Sequence, residues 1–309
     1  MAGPRIGLVL GGGGFTGTAF HAGVLAGLAD HAGWDARTAE VIVGTSAGSI
    51  AAALMRGELP PADYLARVTG RPMSADGQAV LGGVGPLRQP HRPERPGHRP
   101  ASPGLIPTIA RRPWRHRPGV TVAALLPEGR VPVDEGVTGV ADLFPAWPQE
   151  ATWICAVDLE DGRRVVFGRD ATTTMGHAVS ASCAIPGFYA PVVIDGRRHV
   201  DGGMWSTHNL DLLAGLGLDL VVVSAPMSTA DPTAVERATL ARLPVNRRLA
   251  REAAQVTRSG TRVVRIEPDT RLRQIMGTTT MQLSRRPAVA DAAHALVADL
   301  VDRGSVTIP

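Results

Sequence analysis

Residues 41–48, Val-Ile-Val-Gly-Thr-Ser-Ala-Gly, constrain this chain more than any other stretch. Three β-branched residues run into Gly44, and beyond Gly48 the small and apolar residues Ser49 to Leu54 suit a helix. The segment reads as strand, sharp turn and helix, with Ser46 at the apex. A turn that tight strains the apical residue and crowds its neighbours, so the positions two before and two after must be nearly free of side chain. Gly44 and Gly48 meet that demand. This is the pattern of a nucleophile elbow, G-x-S-x-G, which lifts a serine hydroxyl above the end of a sheet. Five residues alone are a weak signal in a chain with 36 glycines, and an ordinary Gly-rich βα turn is the competing reading. The placement between an apolar strand and a helix gives the elbow its weight.

The residues before it complete a unit. Ile6 to Leu10 is an apolar run suited to a buried parallel strand, and Gly11, Gly12, Gly13 and Gly14 follow it. From Thr18 to about His31, Phe20, Val24, Leu25 and Leu28 recur at helix spacing. The first fifty residues therefore predict a βαβ unit with a right-handed crossover. Later strands are expected at 153–159 and 163–168 around Asp161-Gly162, and at 191–194 and 198–200 around Asp195-Gly196. Two more follow at 218–223 and 262–266. Helices are expected at 172–181, at 234–258 with an interruption near Pro244, and at 288–300. Strands alternating with helices imply an α/β fold with a mostly parallel or mixed central sheet. A chain of 309 residues with 44% hydrophobic content can bury a substantial core.

The segment from about 71 to 119 breaks this rhythm. Nine prolines and eight arginines fall between Pro86 and Pro118, a density that opposes helices and sheet ladders. It is expected to be a mobile or irregular insertion over the top edge of the sheet. One reading makes it a disordered surface loop without function. The other makes it a basic lid for anionic headgroups, with Trp114 among Arg111, Arg112, Arg115 and Arg117 as an interfacial anchor.

Composition narrows the function classes. The net charge is only +4, and no lysine occurs. With no aromatic-interleaved basic motif and no zinc-ligand spacing, a nucleic-acid partner is not expected. No apolar run of about 18 residues suggests a transmembrane helix, and the N-terminus lacks the pattern of a signal peptide. A cytoplasmic location, with peripheral membrane contact through the basic segment, is the corresponding expectation. Cys155 and Cys183 read as buried free thiols. Oligomeric state is not fixed by the sequence.

A serine at an elbow needs a proton acceptor, donors for an oxyanion and a dry acyl pocket. The glycine loop can supply donors, because N–H groups without neighbouring Cβ atoms can approach an oxyanion closely. Gly12, Gly14 and Gly17 also fit G-x-G-x-x-G, the rival nucleotide-binding reading. That reading wants an acid at the end of the second strand, where this chain has Gly44-Thr45-Ser46. For the base, His177, His199, His208 and His294 are candidates, none in a context that singles it out. Asp201 closes a strand and precedes Gly202-Gly203, so its carboxylate could reach a neighbouring strand end. A Ser–Asp dyad is the more economical arrangement. An apolar groove for the acyl chain is expected from Phe15, Phe188, Tyr189, Met204 and Trp205, with core packing as the alternative.

Taken together, Gly12-Gly13-Gly14-Phe15-Thr16-Gly17, Gly44-Thr45-Ser46-Ala47-Gly48 and Asp201-Gly202-Gly203 resemble the patatin-like phospholipase family. The stretch Ser180 to Phe188 resembles the segment ahead of that family's aspartate. The likeness spans about residues 5 to 225 outside the Pro/Arg-rich segment. It implies a three-layer α/β sandwich with a mostly parallel sheet, and a single hydrolase domain over 1–309 carrying the 71–119 insertion or lid. It further implies a serine hydrolase of lipid acyl esters, with Ser46 as nucleophile, Asp201 as general base and Gly12, Gly13 and Gly14 as oxyanion donors. Gly17, Gly44, Gly48, Gly202 and Gly203 support the motifs, and no metal or cofactor is implied. An acyltransferase could use the same dyad. One departure stands out: the family often has Arg or Lys where this chain has Thr16, which removes cationic help at the site and leaves backbone donors intact.

Overall fold

Alternation along the strands builds two cores from one sheet. Leu8, Leu10, Ile42, Ile154, Leu220 and Val222 point to one face, and Val9, Val41, Val43, Cys155, Val221 and Val223 to the other. Successive residues of a strand face opposite ways, so strands buried on both faces must be apolar throughout. The computed structural model of the protein describes residues 3–82, 99–133, 146–231 and 237–309, the side chains of 237–241 excepted. Eight strands form the sheet: β1 (Ile6–Leu10), β2 (Val41–Thr45), β3 (Ala151–Asp158), β4 (Arg164–Phe167), β5 (Val192–Ile194), β6 (Arg197–Asp201), β7 (Leu220–Ser224) and β8 (Arg262–Ile266). Their order is β5-β6-β3-β2-β1-β7-β8, with β4 also on β3. The pairs β1–β2, β2–β3, β1–β7 and β7–β8 are parallel, while β4, β5 and β6 enter antiparallel. The α/β class and mostly parallel sheet match the expectation.

Helix α1 (Gly14–Ala32) connects β1 to β2 and lies against the C-terminal helix Arg286–Asp302. Gly27 permits that close approach, since a Cβ there would stand 2.8 Å from the Cβ of Val297. Residues of α1, of α2 (Ala47–Arg56) and of the C-terminal helix share one core cluster. On the opposite face, Leu249 and Val256 of the helix Arg237–Arg258 pack with Leu210, Leu212 and Leu213. Helices on both faces make the third layer.

Three expectations change. The Pro/Arg-rich segment contains short helices at Ala75–Leu81, Ile106–Arg111 and Pro118–Leu125. In the last two, a proline occupies the first or second helical position, where its missing N–H costs no hydrogen bond. Residues 83–98 of that segment, and 234–236 of the expected late helix, lie outside the described residues. The helix Arg237–Arg258 also runs through Pro244 without a break. It is clamped on either side: Arg242 donates to the carbonyls of Pro226 and Ser228, and Asn246 exchanges hydrogen bonds with the backbone of Thr229. Finally, the helix expected at 172–181 starts later, at Met175, because the Thr174 hydroxyl caps it by accepting from the N–H of His177.

Candidate active site

The backbone at Ser46 is strained in the way the local sequence demands. β2 ends at Thr45, α2 begins at Ala47, and the single residue between them has φ 52° and ψ −121°. Non-glycine residues rarely adopt that region, and it costs on the order of 1–3 kcal/mol. The surroundings enforce it. A Cβ at Gly48 would collide with the carbonyl of Leu10, and one at Gly44 would come within 2.8 Å of the Gly48 carbonyl and of Ser49 Cα. The N–H of Ser46 donates to the Ser182 hydroxyl at 2.8 Å, and that hydroxyl donates to the Cys155 carbonyl at 2.6 Å. Ser46 itself is buried.

Sheet register brings Asp201 to the same point. Ile154 pairs with Gly44 of β2 and with Phe167 of β4, so β2 and β4 occupy opposite edges of β3. Ala156 pairs with Val165 of β4 and with Asp201 of β6, so β6 lies on the same edge of β3 as β2. β2 runs with β3 and stops opposite Cys155; β6 runs against β3 and stops opposite Ala156. The two strands thus meet head to head, with Ser46 leaving one and Asp201 ending the other. The Asp201 carboxylate accepts the N–H of Gly203 at 2.7 Å, and the nearby Ser46 hydroxyl favours its ionised form. Burial dominates its titration and pushes its pKa from the ordinary 3.8 up to about 6, while Ser46 and the Gly203 N–H pull the other way. Gly202 has to be glycine, since a Cβ there would strike the Cys155 carbonyl.

The glycine loop lies alongside, because Leu10 of β1 pairs with Gly44 of β2. A Cβ on Gly12 would stand 3.5 Å from Ser46 Cβ, so Gly12 faces the serine. Its N–H, however, donates to the Thr207 carbonyl at 2.8 Å, and that of Gly11 donates to Ser224. Among the described residues the N–H groups of Gly13 and Gly14 have no acceptor, and they stand at the start of α1, where the helix dipole favours negative charge. Gly17 packs on the elbow, its built Cβ only 3.2 Å from Ala47 Cβ. Thr16 is buried, with its N–H donating to the Thr280 carbonyl.

None of the four weighed histidines is hydrogen-bonded to Ser46 or Asp201. His294 is 2.8 Å from Asp30, and His199 packs on the Phe167 ring, 4.0 Å from Asp158. His177 is exposed, and His208 is buried against Gly11 with its pKa lowered by burial to about 3. The expected groove residues are divided. Phe188 and Tyr189 pack edge to face beside one core cluster, whereas Met204 and Trp205 pack with Val120 and Ala123 in another.

Sequence reading missed three supporting residues. Ser182 holds the elbow as described. His21 in α1 spans 2.7 Å from Nε2 to the Gly11 carbonyl and 2.8 Å from Nδ1 to the Ser224 hydroxyl. A carbonyl only accepts, so Nε2 carries the proton; burial lowers this pKa to about 4 and keeps the ring neutral. Asn209 donates to the Thr45 hydroxyl at 3.0 Å, directly below the elbow. The phrase Ser180 to Phe188 held the signal for Ser182; His21 and Asn209 carry no motif.

A family model described as patatin-like phospholipase matches residues 8–214. Among solved structures, VipD from Legionella pneumophila is 12% identical over 98% of this chain and 67% of its own, with a TM-score of 0.45. The type III effector protein ExoU is 20% identical over 98% of this chain and 54% of its own, with a TM-score of 0.37, so this chain spans about half of that protein's length.

Proposed function

The chain belongs to the patatin-like phospholipase family, a family of lipid hydrolases, and on that premise we propose that Ser46 and Asp201 carry its chemistry as a dyad without histidine. The observation that carries this reading is the head-to-head meeting of β2 and β6 on one edge of β3, which brings a buried Asp201 carboxylate to the strained turn that bears Ser46. A carboxylate is a weak base in water. Burial raises the basicity of this one, and its place beside the serine keeps the proton transfer path short.

In the first step the Ser46 oxygen attacks the ester carbonyl carbon while its proton passes to Asp201. The carbonyl oxygen becomes an oxyanion, for which the free N–H groups of Gly13 and Gly14 are the proposed donors; each such donor contributes roughly 3 kcal/mol. Gly12 serves by being small in front of the serine and by fixing the loop through Thr207. Collapse breaks the bond to the leaving alcohol, which takes the proton from Asp201, leaving an acyl-serine. Water then adds to the acyl carbon as Asp201 accepts its proton, and a second collapse releases the fatty acid and restores the Ser46 hydroxyl.

The substrate class proposed is an acyl ester of a phospholipid or lysophospholipid. The test compares the native chain with Ser46→Ala on a panel of such esters, alongside labelling by a fluorophosphonate. Hydrolysis and labelling should both disappear in the variant; turnover surviving in Ser46→Ala would refute the assignment. Product analysis with an added alcohol separates hydrolysis from acyl transfer.

A further inference from the structure

We propose that the outer face of residues 111–126 is a docking surface for an anionic lipid bilayer, placed so that docking presents the bilayer to the rim of the Ser46 site. The inference rests on the reading above for the identity of the substrate. The surface itself stands on separate observations.

The first is position. The helix Pro118–Leu125 starts over the turn that follows Asp201: a Cβ on Gly119 would strike the Met204 carbonyl, and the Arg117 guanidinium lies 4.2 Å from the Trp205 ring centre. The far end of the same segment borders the loop after helix Met175–Cys183. Leu126 lies 3.6 Å from a Cβ built on Gly187, and the Val131 N–H donates to the Phe188 carbonyl. The segment therefore flanks both stretches of chain that lead to and from the proposed dyad.

The second is exposed apolar surface. Trp114 is 78% exposed, Val122 and Leu125 51%, and Leu126 37%. Four of the six large exposed hydrophobic residues among the described residues thus fall within this one stretch. Val120, Ala123 and Ala124 from the same helix are fully buried, so its inner face is satisfied and its outer face is not. Apolar side chains gathered on an exposed face mark a contact surface more often than isolated ones do.

The third is charge. No acidic residue occurs from Arg99 to Pro127, while Arg111, Arg112, Arg115 and Arg117 all lie within it. Arg111, Arg112 and Arg115 are exposed and have no acidic partner among the described residues. That contrasts with Arg5, Arg71, Arg169, Arg197 and Arg303, each paired with a carboxylate. An exposed stretch that mixes tryptophan, aliphatic residues and unpaired guanidiniums matches the headgroup zone of an anionic bilayer, where the stems and rings enter the acyl boundary and the charges meet phosphate. A second copy of the chain would instead bring these arginines against one another.

The experiment uses the full chain and co-sedimentation with phosphatidylcholine vesicles, with and without phosphatidylglycerol, at low and high salt. The native chain should bind the anionic vesicles and release them as salt rises. In the triple variant Arg111→Gln, Arg112→Gln, Arg115→Gln, three guanidiniums at roughly fivefold each give an expected loss on the order of 100-fold. Trp114→Ala should weaken binding with little change in its salt dependence. Both variants should hydrolyse a monomeric, water-soluble ester at the native rate, and Ser46→Ala should bind vesicles like the native chain while losing that hydrolysis. Equal binding to neutral and anionic vesicles, undiminished binding by the triple variant, or loss of binding in Ser46→Ala would overturn the surface. A dimer that dissociates on Trp114→Ala would overturn it in favour of self-association. Failure of the dyad would appear only in the soluble-ester assay.

Discussion

Thr45 and Asp201 stand opposite adjacent residues of one strand, Cys155 and Ala156, on the same edge. Two strands approaching from opposite directions end there, and the proposed nucleophile and base are the residues at their tips. Their separation is set by one step of β3, a rigid element whose neighbours are buried on both faces, and not by a flexible loop. Preorganisation of this kind removes the cost of bringing reacting groups together.

Activity should follow the titration of Asp201. The base acts ionised, and its pKa is raised to about 6 by burial. A plot of kcat/KM against pH should therefore rise through a single-proton limb centred near pH 6, where an exposed aspartate would give a limb near 4. A limb that stays near 4 would show the carboxylate to be solvated during turnover.

Asp201→Asn separates chemistry from stability. A carboxyl whose folded pKa lies above its unfolded value stabilises the fold while protonated, below about pH 3.8, and loses that contribution as pH rises through about 6. At pH 7 the native chain carries a buried carboxylate that the amide replaces without charge. Turnover should fall by at least about 10³-fold. Thermal or urea unfolding at pH 7 should meanwhile show equal or greater stability, by up to roughly 3 kcal/mol.

Gly12→Ala should damage the site and spare the fold. Its new methyl would find only ordinary contacts, 3.5 Å from Ser46 Cβ and 3.5 Å from Thr207 Cγ2, but it would occupy the space in front of the serine. Melting should change little and fluorophosphonate labelling should slow sharply. Gly48→Ala is the opposite case: its collision with the Leu10 carbonyl involves two backbones, and soluble expression should fail.

Ser182→Ala removes the hydroxyl between the Ser46 N–H and the Cys155 carbonyl, leaving a buried donor and acceptor unpaired. The cost should be about 1–3 kcal/mol in unfolding experiments. Because Ser182 positions the elbow without touching substrate, kcat should fall more than KM changes, and the pH limb should stay where Asp201 puts it.

The sheet and elbow were legible because their signals are local. Apolar runs such as Ile6–Leu10 and Leu220–Ser224, the Asp195-Gly196 turn with both φ positive, and the glycines around Ser46 each state their geometry within a few residues. Asp201 was legible because a carboxylate between a strand and two glycines is an unusual tip. Ser182, His21 and Asn209 were not, since each takes its role from a partner between 136 and 203 residues away that only the fold brings close. The helices within the Pro/Arg-rich stretch were hidden for another reason. Proline density argues against helix interiors, and the two helices Ile106–Arg111 and Pro118–Leu125 place proline in the first turn.

The shared edge of β3 also bears on how such a chain can vary. About 155 residues separate Ser46 from Asp201 along the backbone, yet their spacing is measured by one step along the edge of a single strand. The distance between the two strand tips is then set by the sheet and not by the length of chain that joins them. The arginine-bearing stretch could lengthen or shorten while the serine and aspartate kept their distance, so the proposed lipid-docking surface and the proposed dyad occupy separable stretches of the same polypeptide.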